Sequence, residues 1–174
     1  MSLGDLLRAF EAADLAEWQG LSPALSLGDV AAALLLETEA RVPGHLGEER
    51  RPAERIAARS STYAGGLFVW HDGGHVLMLE GRDPFDGGGD PLVAPELGEP
   101  DEVLDSVLGR LSLPGGERVY AGRGLAVRVN PENGVLLGVL GFAPTDARTY
   151  RARLRPELLP RRLLPTAVVL RSAS

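Results

Sequence analysis

The chain has no cysteine, no lysine and no long apolar run, and each absence removes a class of function. Without cysteine there is no disulfide framework, no thiol nucleophile and no thiolate metal site. Every basic residue is arginine, which reads as the bias of a high-GC bacterial genome rather than as a binding signal. Acids outnumber bases 24 to 18, so nucleic acid is not the expected partner of a chain of net charge −6. No stretch approaches the length of a membrane span, and the N-terminus lacks a basic segment followed by an apolar one; the expected location is the cytoplasm.

What the chain does have is a hairpin pattern written twice. In YAGRGLAVRVNPENGVLLGVLGFAP, Tyr120 to Pro144, residues Leu125, Val127 and Val129 alternate with Ala126 and Arg128, the period of a strand with one drier face. NPENG supplies a turn, and Val135 to Leu140 returns as a run apolar on both sides, as in a strand covered on both faces. Tyr63 to Pro84 follows the same order, with Leu67 to Trp70 and Val76 to Leu79 flanking HDGGH. Gly74 and Gly134, Gly81 and Gly141, Pro84 and Pro144, Asp86 and Asp146 are each 60 apart. The pattern indicates an internal duplication in which Leu67 matches Leu125 and Gly74 matches Gly134.

Around the hairpins, periodicity predicts helices. Asp5 to Gln19 places Leu6, Leu7, Phe10, Leu15 and Trp18 near one side, with Gly20 as a stop. Asp29 to Glu39 reads as a second helix, and 41–55, rich in Pro, Gly and charge, as a loop. Ile56 to Tyr63 reads as a first strand. ELGEPDEVLDSVLGRL is the strongest helical signal: Pro100 in the first turn, Asp101 and Glu102 at the positive end of the dipole, and Val103, Leu104, Val107, Leu108 and Leu111 along one face. After Phe142, Thr145 and Asp146 can cap a short helix carrying Tyr150 and Leu154, and Thr166 to Leu170, TAVVL, is a candidate strand at a sheet edge. The expected fold class is α+β: two tandem helix-plus-antiparallel-hairpin modules forming one curved sheet with helices on one face. The divisions are an N-terminal helix in 1–20, a first module over 21–90, and a second over 91–174 with a C-terminal extension.

The succession LGEPDEVLDSVLG, VYAGRGLAVRV and NGVLLGVLGF resembles the modules of the β-lactamase-inhibitor-protein (BLIP) fold and of SmpA/OmlA-type outer-membrane lipoproteins. That resemblance implies a curved sheet backed by helices, whose exposed face and hairpin turns hold a protein partner.

The search for catalysis turns up little. His71 and His75 flank a turn as metal ligands would, but no third ligand falls at a suitable spacing. Asp83, Asp86 and Asp90 do not have the spacing of a calcium loop. Gly122-Arg123-Gly124 sits between strands, without the helix that a phosphate loop needs. The chain is therefore expected to act without cofactor or metal, as a non-enzymatic protein-binding module, an inhibitor or toxin-immunity protein among the options. Phe68, Trp70, His71, Asp72, Tyr120, Arg123 and Arg128 are the candidate binding residues, aromatic and arginine anchors on a sheet face. The alternative is a small-molecule-binding or enzymatic protein with a cleft between the modules. Trp70 decides much of this: alternation puts it with Phe68 on one side of its strand, either exposed for a partner or plugging a core.

Overall fold

The computed structural model describes residues 15–20, 26–34, 39–58, 66–82, 92–108 and 111–156. Eight strands, β1 (Glu39–Leu46), β2 (Arg51–Ala58), β3 (Gly66–Asp72), β4 (His75–Arg82), β5 (Glu102–Leu108), β6 (Leu111–Tyr120), β7 (Leu125–Val129) and β8 (Leu136–Phe142), form a single antiparallel sheet. Their order is β1-β2-β3-β4-β8-β7-β6-β5. Two four-strand meanders thus meet at their last strands, and among the described residues β1 and β5 are the edges.

The duplication is visible in the hydrogen-bond register. Leu67 faces Gly81 and Leu125 faces Gly141, so the two leucines occupy equivalent places. Both hairpins carry a bulge at the same point: Trp70 pairs with Met78 but His71 with Val76, and Arg128 pairs with Gly138 but Val129 with Leu136. Leu77 and Leu137 are the extra residues, again at equivalent positions. Where the halves join, Glu80 faces Leu140 and the pairing runs from Met78–Phe142 to Arg82–Gly138. Exchanging the halves turns the first of these pairs into the last, so a local twofold axis passes through the Glu80–Leu140 pair. The turns differ in length but share a need for glycine: Gly73, Gly74 and Gly134 all have positive φ.

What repeats is a meander of strands and not a helix plus a hairpin, and the expected α+β fold class is overturned by this mostly-β sheet. The largest correction is at 102–108, read as the best helix and found as β5. There Val103, Asp105 and Val107 point outward while Ser106 is buried, and the Asp101 N–H donates to the Val119 carbonyl of β6 (2.8 Å). A half-apolar pattern with two β-branched valines satisfies either period, and an open strand waiting to be paired decides for the sheet. Residues 41–55, read as a loop, form the β1–β2 hairpin, whose turn holds Gly47 and Arg50 at positive φ. The predicted Asp29–Glu39 helix is found as α1 (Leu27–Leu34), capped by mutual bonds between Ser26 and Asp29. Of Asp5–Gln19, a 3-10 turn at Leu15–Trp18 is described. The short helix after Phe142 is α2, one α turn (Ala147–Thr149) continued as a π turn (Tyr150–Leu154), with Asp146 accepting from the Thr149 N–H as its cap. The TAVVL segment lies outside the described residues.

Both faces of the sheet are covered, against the expectation of helices on one. On one face Leu67, Val69, Leu79, Leu125, Val127 and Val139 pack with Leu15, Trp18 and Val30, joined at the margin by Leu27, Ala94 and Leu97. On the other, Trp70, Met78, Val119, Ala126, Leu140 and Phe142 pack with Leu46 and with Tyr150 of α2. Edge strands of a flat eight-stranded sheet would lie about 34 Å apart. Yet Arg151 pairs with Glu48 in the β1–β2 turn and with Glu102 on β5, so the sheet curls around α2 with this second face inside. Gly47 sits at the closure: its N–H donates to the Arg155 carbonyl, φ is 70°, and a Cβ there would overlap the Ala152 carbonyl. Gly47→Ala is expected to lower stability by about 2 kcal/mol or more, read as a lower midpoint in urea unfolding.

Candidate functional site

The inside of the curl is not simply apolar. Glu80 and Glu117 are fully buried, and Arg128, 1% exposed, lies between them. Arg128 Nη1 donates to Glu80 Oε1 (2.7 Å) and Nε to Glu117 Oε2 (3.3 Å). Glu80 also accepts from Arg82 Nε (2.6 Å) and Trp70 Nε1 (3.0 Å), and Glu117 from Tyr150 Oη (3.0 Å) and Arg155 Nε (2.9 Å). The register builds this cluster: Arg82, Gly138, Arg128 and Glu117 lie in one row across β4, β8, β7 and β6. Burial alone would raise the Glu80 carboxyl; Arg128 and Arg82 outweigh it and hold it at about 2. Burial likewise works against the Arg128 charge, and Glu80 and Glu117 outweigh it, lifting Arg128 above its usual range. Tyr150 is pushed well up by burial and by the neighbouring Glu117, so it stays a hydrogen-bond donor. One meander contributes Glu80, the other Arg128 and Glu117, and the C-terminal segment Tyr150 and Arg155. The cluster ties three parts of the chain together.

Three candidate residues fall here. Trp70 is 5% exposed and committed to Glu80, which decides between the two readings of it in favour of a packing residue and against a surface anchor. Arg128 is likewise unavailable to a partner. Phe68 is half-buried, with the guanidinium carbons of Arg55 and Arg82 at 4.7 and 4.8 Å from its ring centre.

His71 follows Trp70 in β3, so its side chain stands on the opposite face, and Asp72 comes next at the end of the strand. They line a groove of about 610 Å³ with Glu54, Arg41, Pro43 and Leu27. The Gly74 N–H donates to His71 Nδ1 (3.2 Å), which in the neutral ring places the proton on Nε2, facing Glu54 Oε1 at 3.5 Å. Asp72 pairs with Arg51 at 3.6 Å. Among the described residues no three His, Asp or Glu side chains converge as a metal site.

Tyr120 and Arg123 form a third place. Tyr120 is buried, its hydroxyl donating to the Gly98 carbonyl (3.2 Å), and Arg123 lies over its ring at 5.4 Å. Arg123 also donates to Gln19 Oε1 (3.0 Å) and the Leu97 carbonyl (2.6 Å), so it fastens two crossing segments to the sheet. The seven candidates therefore occupy three separate environments.

The feature missed in the sequence is the outer side of β5. Val103 and Val107 are 54% and 40% exposed, and among the described residues β5 pairs with β6 alone. Exposed Glu96, Glu99, Asp101 and Asp105 stand along the same segment. Beside Val107 and Asp105 a cavity of about 240 Å³ opens toward Arg151, Arg155 and Pro156. The alternation in EVLDSVL was the available signal, hidden by an equally good helical reading.

No protein-family model, curated protein or solved structure matches the chain.

Proposed function

We propose that this chain is a protein-binding module whose partner adds an extended segment along β5. The observation that carries the reading is the exposed pair Val103 and Val107 on an edge strand, where valine side chains and backbone groups together form a template for another strand. The carboxylates of Glu96, Glu99, Asp101 and Asp105 and the net charge of −6 favour a basic partner, which opposite charge would steer toward this edge. Inhibition or neutralisation of a basic protein is the kind of task this serves. No helix among the described residues is long and apolar enough to cross a membrane.

A synthetic peptide alternating valine and lysine tests the reading. It is expected to bind the wild type, to weaken steeply with salt, and to lose at least tenfold in affinity on Val103→Arg or Val107→Arg, since both remove apolar contact and add repulsion. Equal binding by the wild type and both variants would overturn the assignment of the edge, as would tighter binding of the matching valine–glutamate peptide.

A further inference from the structure

An arginine whose N–H groups are held by acceptors in its own plane keeps two flat faces for stacking, and this chain uses such a face twice. Arg82 donates through Nε to Glu80 Oε1 (2.6 Å) and lies over the Phe68 ring at 4.8 Å. Arg123 donates to Gln19 Oε1 and to the Leu97 carbonyl and lies over the Tyr120 ring at 5.4 Å. In both, the in-plane bonds fix the guanidinium, and its positive charge then attracts the electron-rich face of the ring.

Arg151 and Arg155, at the end of α2, are fixed in the same manner. Arg151 donates through Nη1 to Glu102 and pairs with Glu48 at 3.5 Å, and Arg155 donates to Glu117 Oε1 (2.9 Å) and to the Asp105 carbonyl. Among the described residues no aromatic ring lies over either guanidinium. What they line together is the cavity of about 240 Å³, to which β5 contributes Asp105 and Val107. A cavity of about 150 Å³ holds a benzene molecule, so this one has the volume for a single aromatic side chain. It opens beside Val107, one of the two exposed valines of the unpaired edge.

We propose that this cavity receives one aromatic side chain of the segment that adds along β5, with its ring against the flat faces of Arg151 and Arg155. The inference rests on the β5 reading and adds to it a residue type and a place. Side chains directly opposite each other on paired strands lie about 4.5–5.5 Å apart, so a residue opposite Asp105 or Val107 reaches the cavity. One opposite Val103 stands about 13 Å further along and does not. The acidic residues of the edge select the partner's charge, and the cavity sets its register.

The valine–lysine peptide is the probe, with each valine replaced in turn by phenylalanine, cyclohexylalanine or alanine and dissociation constants measured at one salt concentration. At a single position phenylalanine is expected to bind at least about tenfold more tightly than alanine. There it should also bind about threefold more tightly than cyclohexylalanine, which fills the same space without a π face. At the other positions the preference for phenylalanine over cyclohexylalanine should be absent. Arg151→Lys keeps the charge and lacks the flat face, and is expected to reduce that preference. The peptide comparison on the wild type needs no variant, so it decides the matter even if Arg151→Lys folds poorly. A parent peptide that binds, with no position favouring phenylalanine over both analogues, overturns the cavity and leaves the edge standing. A preference unchanged in the folded Arg151→Lys variant also overturns the cavity, and a parent peptide that does not bind removes both the edge and the cavity.

Discussion

Arg128→Ala is expected to be among the most damaging single substitutions in the described chain, lowering stability by about 3–5 kcal/mol. The cost follows from what remains. Glu80 and Glu117 keep their burial and lose the group between them, and although Arg82 and Arg155 still reach them, each carboxylate loses a charge-assisted bond. Small domains have about 5–15 kcal/mol in total, so a loss of this size would show as partial unfolding at ordinary temperatures. Arg123→Ala supplies the contrast. That arginine also makes three contacts, but it is exposed, and its removal should cost about 1 kcal/mol or less. Urea unfolding of the two variants, analysed for midpoint and slope, checks both. If they lose similar stability, the inner cluster is not holding the sheet together.

The second large effect is acid lability from the same cluster. The Glu80 carboxyl is held at about 2 in the fold against an ordinary value of 4.5. A carboxyl depressed by folding stabilises the native state above its unfolded value, and that contribution disappears as pH falls from about 4.5 toward 2. The difference corresponds to about 3 kcal/mol at neutral pH. The wild type should therefore lose stability over that window more steeply than Glu80→Gln, which has no proton to take up there. Parallel curves for the two proteins between pH 5 and 2 would show that Glu80 is not a strongly paired carboxylate.

How much of this was legible in the sequence differs from element to element. The β3–β4 and β7–β8 hairpins were, because alternation and positive-φ glycines at the turns are local signals that tertiary packing reinforced. The duplication was legible for the same reason, and its register equivalence of Leu67 with Leu125 followed. The β5 strand was not: 102–108 fits a helix and a strand about equally, and the choice was made by β6, a partner that periodicity cannot see. The β1–β2 hairpin was hidden by Pro43 and Pro52, which read as loop residues although prolines are tolerated at a sheet edge and near a strand start. Among the site residues, the shared side of Phe68 and Trp70 was correctly inferred, but their exposure depended on α2 and the curl. His71 falls on the face opposite Trp70 by plain strand alternation, a signal the sequence already held. Glu117 and Arg55 drew no attention in the sequence, since a charge becomes notable only once burial is known.

Residue-resolved hydrogen exchange over Glu102–Leu108, with and without the valine–lysine peptide, tests the proposed role of β5 most directly. In the free protein these edge amides are expected to exchange faster than those of β4 and β8 at the centre of the sheet. Saturating peptide should slow exchange within β5 and leave the β1 edge unchanged. Protection that appears on β1, or none on β5 while the peptide is bound, would contradict the account.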